Sequence, residues 1–484
     1  MTVRDVEPLS LWNHFADLNE VPRPSKKEER VIEFMMNFGK SLGLETLKDQ
    51  IGNVIIRKPA SPGMEDRKMV ILQSHLDMVH QKNRETEFDF DKEGIKMRVN
   101  GDWIDADGTT LGADNGIGVA TIMATLSATD IDHPALEAFF TIDEETGMTG
   151  AKEMDGTMFQ GEILLNLDTE DDDELSIGCA GGIDTNTEYN YQEEELSGNR
   201  KTIQLNIKGL LGGHSGMDID SGRGNANKWL TRILWSISQN MDLNIISFDG
   251  GGLRNAIPRE ASCLISVFYE DAHQLSNIIQ EMTKTLKDEY KSIETNLDIS
   301  FSEETSIEKG ASIKESQKII NTLAALHNGV FRMSPDIEGL VESSSSLARV
   351  EIGNGRFITQ SLQRSSVNST RDEVAMTIKA CFENMGCEVV QSGEYPGWQP
   401  NPNSIILDIM EKLYKTMFNE DPQVKACHAG LECGILGEHL PGVDMISFGP
   451  NIRAAHSPDE KVQISSVQKF WKFYLETLKS IPIK

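Results

Sequence analysis

A chain of 484 residues exceeds what one compact core holds, so two or more domains are expected. With 38% hydrophobic and 25% charged residues, its composition is that of a globular protein and excludes an intrinsically disordered chain. The net charge of −30 opposes binding to nucleic acid or anionic membrane surfaces, and it attracts cations.

The first residues carry Arg4, Asp5 and Glu7 without an apolar stretch, and no run has the length of a membrane span. The six cysteines are scattered and include no Cys-x-x-Cys. A cytoplasmic protein with reduced thiols is expected.

In chain order, Ser25-x-x-Glu28 has the form of a capping box ahead of Val31, Phe34, Met35, Phe38 and Leu42 at helical spacing. Apolar runs occupy residues 53–56, 69–72, 136–142 and 163–167, with a buried helix expected over 116–126. Strands alternating with helices predict an α/β domain with a mostly parallel sheet flanked by helices. Near residue 187 the texture changes. The polar, acidic segment 186–199 leads into Ile203, Leu205 and Ile207 alternating with polar residues. Helices are expected at 226–237 and 372–385, and Asn354-Gly355 is a hairpin turn. These features predict an inserted α+β domain over residues 187–395, long enough for two similar subdomains. Residues 1–186 and 396–484 would form the discontinuous first domain. Segment 394–403 reads as the returning hinge, leading to a helix (404–418), a strand (443–448) and a helix (464–478). The runs Asp171-Asp172-Asp173 and Ser343-Ser344-Ser345-Ser346 read as solvated loops.

The residues able to do chemistry stand just past the apolar runs. Residues 69–72 lead into His75-Leu-Asp77, 136–142 into Asp143-Glu144-Glu145, 163–167 into Asp168, and 443–448 into a loop holding His456. Ligands of an open α/β sheet bind at the carboxyl ends of its strands. Asp114 joins this set from the glycine-flanked Gly112-Ala-Asp-Asn-Gly116. Taken singly, each has an ordinary structural reading: a hydrogen-bonded histidine, a solvated turn, a helix N-cap. Their coincidence at equivalent strand ends favours a site. Two imidazoles and several carboxylates suit zinc, with manganese or cobalt as substitutes. A carboxylate at Asp77 can accept the other N–H of the His75 ring. Glu144 and Glu145 point opposite ways on an extended chain, so one can bind metal while the other serves as general base. His-Glu-x-x-His, Gly-x-Ser-x-Gly and the dinucleotide fingerprint are absent, and Gly39-Lys40-Ser41 lacks the upstream glycine of a P-loop.

Ser74-His-Leu-Asp-Met-Val79, Gly112-Ala-Asp-Asn-Gly116, Glu144-Glu-Thr-Gly147, Gly212-Gly-His-Ser-Gly216 and His456-Ser-Pro458 together resemble the M20 metallopeptidases. Gly181-Gly-Ile-Asp184, Arg254-Asn-Ala-Ile-Pro258, Tyr395-Pro-Gly-Trp398 and His428-Ala-Gly-Leu-Glu-Cys433 narrow the resemblance to the aminoacyl-histidine (Xaa-His) dipeptidases, the bacterial carnosinase type. The resemblance covers essentially the whole chain. It implies a catalytic α/β domain with an inserted lid and two zinc ions bridged by Asp114. His75 and Asp168 would complete one metal, and Glu145 and His456 the other. Asp77 would support His75, and Glu144 would be the general base. It further implies a small peptide substrate and a role for His214 in binding the substrate carbonyl or its oxyanion.

Arg364 is a candidate for the substrate's C-terminal carboxylate, assisted by Asn255, and Glu432 for its free amino group. Each also reads as an ordinary loop contact or salt bridge. A homodimer is the expected assembly. Two rival readings stay open at this point: another M20 hydrolase, such as an aminoacylase or carboxypeptidase, and a non-catalytic binding protein.

Overall fold

The apolar runs of the first half become the centre of an eight-stranded sheet in the computed structural model, which describes residues 2–305 and 309–484. In spatial order its strands are Glu45–Lys48, Val54–Lys58, Leu136–Thr141, Val70–His75, Ile163–Asn166, Asp444–Ser447, Glu174–Cys179 and Gln423–Cys427. Val70–His75 runs parallel to Leu136–Thr141 on one side and to Ile163–Asn166 on the other. Asp444–Ser447 extends the parallel set beside Ile163–Asn166. These four strands are buried almost throughout, so both of their faces are covered.

The flanking pairings are antiparallel, Val54–Lys58 on Leu136–Thr141 and Glu174–Cys179 on Asp444–Ser447. The sheet is therefore mixed, and the mostly parallel sheet expected from the sequence is confined to its centre. A parallel neighbour needs a long crossover, whereas a short connection such as that from Glu45–Lys48 to Val54–Lys58 reverses the chain.

The buried helix is Ala113–Ser127, packed on Val70–His75. A Cβ at Gly118 would collide with Asn115 Oδ1, Ser74 Oγ and the Leu167 carbonyl, so glycine lets the helix approach the strand ends closely. The expected capping box does not form. Helix Glu29–Ser41 starts without a side-chain cap, because Ser25 Oγ donates to Asp77 Oδ2 (2.8 Å) and Glu28 Oε1 accepts from the Lys26 amide (2.9 Å). A second, four-stranded antiparallel sheet went unforeseen: Ile452–Arg453, Lys461–Gln463, Trp103–Ala106 and Met97–Asn100. The loop joining its first two strands carries His456. Asp171-Asp172-Asp173 is also more than a solvated loop, since Asp171 pairs with Arg453 (2.5 Å) and Asp172 with Lys469 (2.8 Å).

Apart from the terminal residues Cys179 and Cys427 of two strands, these elements lie in one compact unit, comprising residues up to Gly178, Trp398–Ala426 and Leu431–Lys484. The other unit is Cys179–Gly397 with Cys427–Gly430. It begins earlier than the expected residue 187 because strand Gly181–Asn190 pairs with both Arg356–Ser365 and Glu388–Tyr395. Its nine-stranded sheet contains two βαββαβ halves. One half is Arg200–Lys208, helix Ala226–Ser238, Leu243–Gly251, Ala261–Phe268, helix Ala272–Glu289 and Asp298–Glu304. The other is Gly181–Asn190, helix Ile313–Ala325, Val341–Gly353, Arg356–Ser365, helix Asn368–Met385 and Glu388–Tyr395. In each half the strands lie in the order fourth, first, third, second. The two halves join where Leu243–Gly251 pairs antiparallel with Val341–Gly353.

The serine run 343–346 is buried inside Val341–Gly353, not in a solvated loop. Small hydroxyl side chains gave no apolar signal, yet neighbouring strands on both sides supply the backbone partners. Among the described residues, no helix is long and apolar enough to cross a membrane.

Gly118→Val would drive three more heavy atoms between helix and strand end, and is expected to destabilise the protein by about 3 kcal/mol. A urea-unfolding midpoint equal to that of the wild type would contradict this packing.

Candidate metal centre

Three of the central parallel strands deliver side chains at their carboxyl ends. His75 closes Val70–His75, Glu144 and Glu145 come after Leu136–Thr141, and Asp168 after Ile163–Asn166. Asp114 has extended backbone (φ −81°, ψ 112°) at the mouth of its helix, which turns its carboxylate toward these ends. His75, only 1% exposed, places Nε2 at 3.1 Å from Asp114 Oδ1 and 3.6 Å from Asp168 Oδ1. On the other side, His456 Nε2 lies 3.1 Å from Asp114 Oδ2 and 2.9 Å from Glu145 Oε2. Each oxygen of Asp114 thus faces one imidazole, and each imidazole has a second carboxylate beside it. Within each of the sets His75, Asp114, Asp168 and Asp114, Glu145, His456, the donor atoms lie within 4.8 Å of one another.

Asp77 does more than orient His75. The Nδ1 of His75 meets the Asp77 backbone carbonyl at 3.1 Å and the carboxylate Oδ1 at 3.4 Å. That carboxylate also accepts from the amides of Glu144 (3.0 Å) and Glu145 (3.3 Å), fixing the loop that carries both glutamates. Asp77, Glu28 and Asp143 form a further cluster of buried acids. Here Lys26 Nζ (2.6 Å) and the hydroxyls of Thr146 and Thr149 serve Asp143, and Ser25 serves Asp77. Asn115 Nδ2 donates to Asp168 Oδ1 and to the Leu167 carbonyl, which orients Asp168.

The centre is crowded with negative charge. Burial pushes the Asp168 carboxyl up to about 6 and the Glu432 carboxyl up to about 7. Burial also holds Glu144 well above the ordinary carboxylate range, with Asp168, Glu432 and Glu145 adding to it. Against its burial, Asp114 is held low by His456 and His75. Hydrogen bonds to Asp114 and Glu145 push His456 up to about 11. Divalent cations among these groups would relieve the mutual repulsion. The donors fit that role: two imidazoles, three carboxylates and a buried Glu145 Oε1 without a hydrogen-bond partner.

Glu432, 1% exposed, stands beside this group. Its Oε2 accepts from Gln73 Nε2 (2.6 Å) and Thr141 Oγ1 (2.8 Å), while its Oε1 has no partner. The other three substrate-binding candidates belong to the second unit. His214 Nδ1 accepts from the amides of Gly216 and Met217 (both 3.1 Å), so the neutral ring carries its proton on Nε2. Arg364 is buried, donates to Tyr395 Oη (2.8 Å) and has an unpartnered Nε. Beside them His428 Nε2 meets Ser344 Oγ at 2.8 Å, and burial, with Arg364 and His214, pushes its pKa down to about 3. A guanidinium among neutral imidazoles suits an anion. Asn255 is exposed and contributes its backbone carbonyl, which accepts from the Ser215 amide (2.8 Å).

Sequence reasoning missed Arg23, Gln73, Thr141, Ser344, Tyr395, His428 and Glu460. Tyr395 and His428 stood within motifs of the family resemblance, which could have drawn attention to them. The others are polar residues in strands or loops, with no spacing that separates them from surface positions.

Known proteins share this architecture. The profile of "Peptidase family M20/M25/M40" matches residues 71–480. The chain is 40% identical over 479 residues to the cytosol non-specific dipeptidase of Escherichia coli (strain K12), covering 99% of each chain. The crystal structure of aminoacylhistidine dipeptidase from Vibrio alginolyticus matches with a TM-score of 0.96 and 41% identity, covering 100% of this chain and 99% of that one. An M20 family metallo-carboxypeptidase from Sulfolobus solfataricus shares the fold at a TM-score of 0.52 and 16% identity, covering 97% and 98%. The chain belongs to peptidase family M20/M25/M40.

Proposed function

We propose that this protein is a cytoplasmic two-metal dipeptidase with a preference for Xaa-His substrates such as carnosine. The observation that carries this reading is the Asp114 carboxylate, with one histidine Nε2 at 3.1 Å from each of its oxygens. His75 and Asp168 would hold one cation with Asp114, and Glu145 and His456 the other. Zinc suits these donors, with manganese or cobalt as substitutes. When bound, such a pair polarises a carbonyl and lowers the pKa of water.

Glu144 accepts the proton of the attacking water and passes it to the leaving amine. Its burial favours this task, because a carboxylate whose pKa is raised by desolvation is a stronger base toward the proton of water. Asp77 holds the Glu144 amide and so aims the base. The unpartnered Glu432 Oε1 receives the free amino group of a dipeptide. Within the second unit, the buried Arg364 suits a substrate carboxylate, and the Nε2–H of His214 suits an oxyanion. The dipeptidase reading is supported by the names of two relatives at 40% and 41% identity, one of them an aminoacylhistidine dipeptidase. The other is called non-specific and cytosolic.

Glu144→Gln is expected to retain zinc binding and lose at least ~100-fold in kcat; near-normal kcat would remove Glu144 as the base. Chelation should abolish hydrolysis across a dipeptide panel, and added zinc should restore it, with carnosine and other Xaa-His substrates cleaved fastest. A flat profile would remove the histidine preference while leaving the dipeptidase. Arg364→Ala is expected to raise KM about 10-fold or more, and an unchanged KM would reassign that residue. N-acetylation of the substrate should suppress cleavage if Glu432 binds the free amine, and equal rates would exclude that role.

A further inference from the structure

The loop bearing Asp114 and the loop bearing His456 are tied together by one carboxylate. Glu460 is 2% exposed, and its two oxygens accept from four consecutive backbone amides. Leu111 (2.7 Å) and Gly112 (3.0 Å) donate to Oε2, and Ala113 (2.7 Å) and Asp114 (3.3 Å) donate to Oε1. These amides lead into helix Ala113–Ser127, where N–H groups have no intrahelical acceptor. Four donors converging on one ion fix the position of the Asp114 backbone more tightly than neutral contacts would.

The same residue anchors the histidine loop. The Glu460 amide donates to the Ser457 carbonyl (3.0 Å), and the chain then enters Lys461–Gln463, which pairs with both Ile452–Arg453 and Trp103–Ala106. His456 sits between these anchors with φ +66° and its side chain half exposed, its ring meeting Asp114 (3.1 Å) and Glu145 (2.9 Å).

On the far side of Gly112 stands Arg23, 1% exposed. It donates to the carbonyls of Gly112 (2.6 Å), Leu76 (3.1 Å) and Asp77 (3.1 Å). Gly112, at φ +70°, is thus held by its N–H to Glu460 and by its carbonyl to Arg23. A Cβ there would strike the Arg23 guanidinium and Met78 Sδ. Through Gly112, the anion and the cation connect the segments that carry His75, Asp114 and His456.

We propose that Glu460 is a positioning residue of the metal centre: it sets the placement of Asp114 relative to His456, so that both address the same cation. The inference rests on the two-metal reading above. Glu460 acts through other residues and touches no substrate.

The test is titration of metal-free protein with zinc alone, for the wild type, Glu460→Gln, Glu460→Asp and Asp459→Asn, with urea unfolding of each. Glutamine keeps one oxygen for two of the amides and turns an NH2 group against the others. Glu460→Gln is expected to bind one of its two zinc ions about 10–100-fold more weakly. Its kcat should recover in excess zinc, with KM unchanged. Glu460→Asp should fall in between, and the exposed Asp459→Asn should match the wild type. A brace with no positioning role would lower the unfolding midpoint of Glu460→Gln while leaving wild-type zinc affinity in the folded protein, and that result overturns the proposal. If Glu460→Gln fails to fold, Glu460→Asp decides: weakened zinc binding sustains the proposal, and wild-type affinity overturns it. Wild-type protein binding fewer than two zinc ions would instead overturn the two-metal reading itself, a failure visible before any variant is measured.

Discussion

A carboxylate shared by two imidazoles is the interaction around which the first unit is organised. Asp114 could not hold that place as an ordinary helix residue, since regular helical backbone would turn its side chain with the helix. Its extended conformation, the left-handed Gly112 before it and the tight contact at Gly118 after it all serve to bring one side chain to the strand ends. Burial then sharpens the electrostatics. Acids that would be independent in water oppose one another's ionisation here, and the histidines are drawn toward the charged form. A centre built this way is poised to exchange protons for divalent cations.

The surrounding polar residues are arranged as supports. Asp77 directs both carboxylate oxygens to backbone amides and Ser25, and so couples the His75 loop to the loop of Glu144 and Glu145. Arg23 and Glu460 do the same for the Asp114 loop with full charges buried among backbone partners. Such groups are costly to bury without partners, and here each is met by several hydrogen bonds, which favours one defined loop geometry. The second unit uses a different device. Burial keeps the imidazoles of His214 and His428 toward their neutral form beside the buried Arg364 guanidinium, an arrangement whose chemistry suits an anion.

Much of this was legible in the sequence. Apolar runs ending in His75, Glu144, Glu145 and Asp168 announced strand ends that carry chemistry, because a parallel sheet gathers the carboxyl ends of its strands at one edge. The helix at Ala113–Ser127 and the Asn354-Gly355 turn were readable from composition and local backbone preference. What failed had no local signal. Ser25 and Glu28 satisfied a capping pattern, yet Asp77 and the Lys26 amide took their side chains. Four serines read as solvated, yet strand pairing on both sides buried them. The short strands that hold the His456 loop were too brief to show alternation.

By itself, then, the sequence determined which residue types stand at strand ends, the rough extent of the inserted segment and the family resemblance carried by its motifs. Tertiary structure alone decided that Asp114 faces His75 with one oxygen and His456 with the other, and that Glu460 gathers four amides of a loop nearly 350 positions away. The reason is physical. Propensity and periodicity act over a few residues, whereas a buried hydrogen bond between distant loops exists only after the sheets have brought both partners out of water.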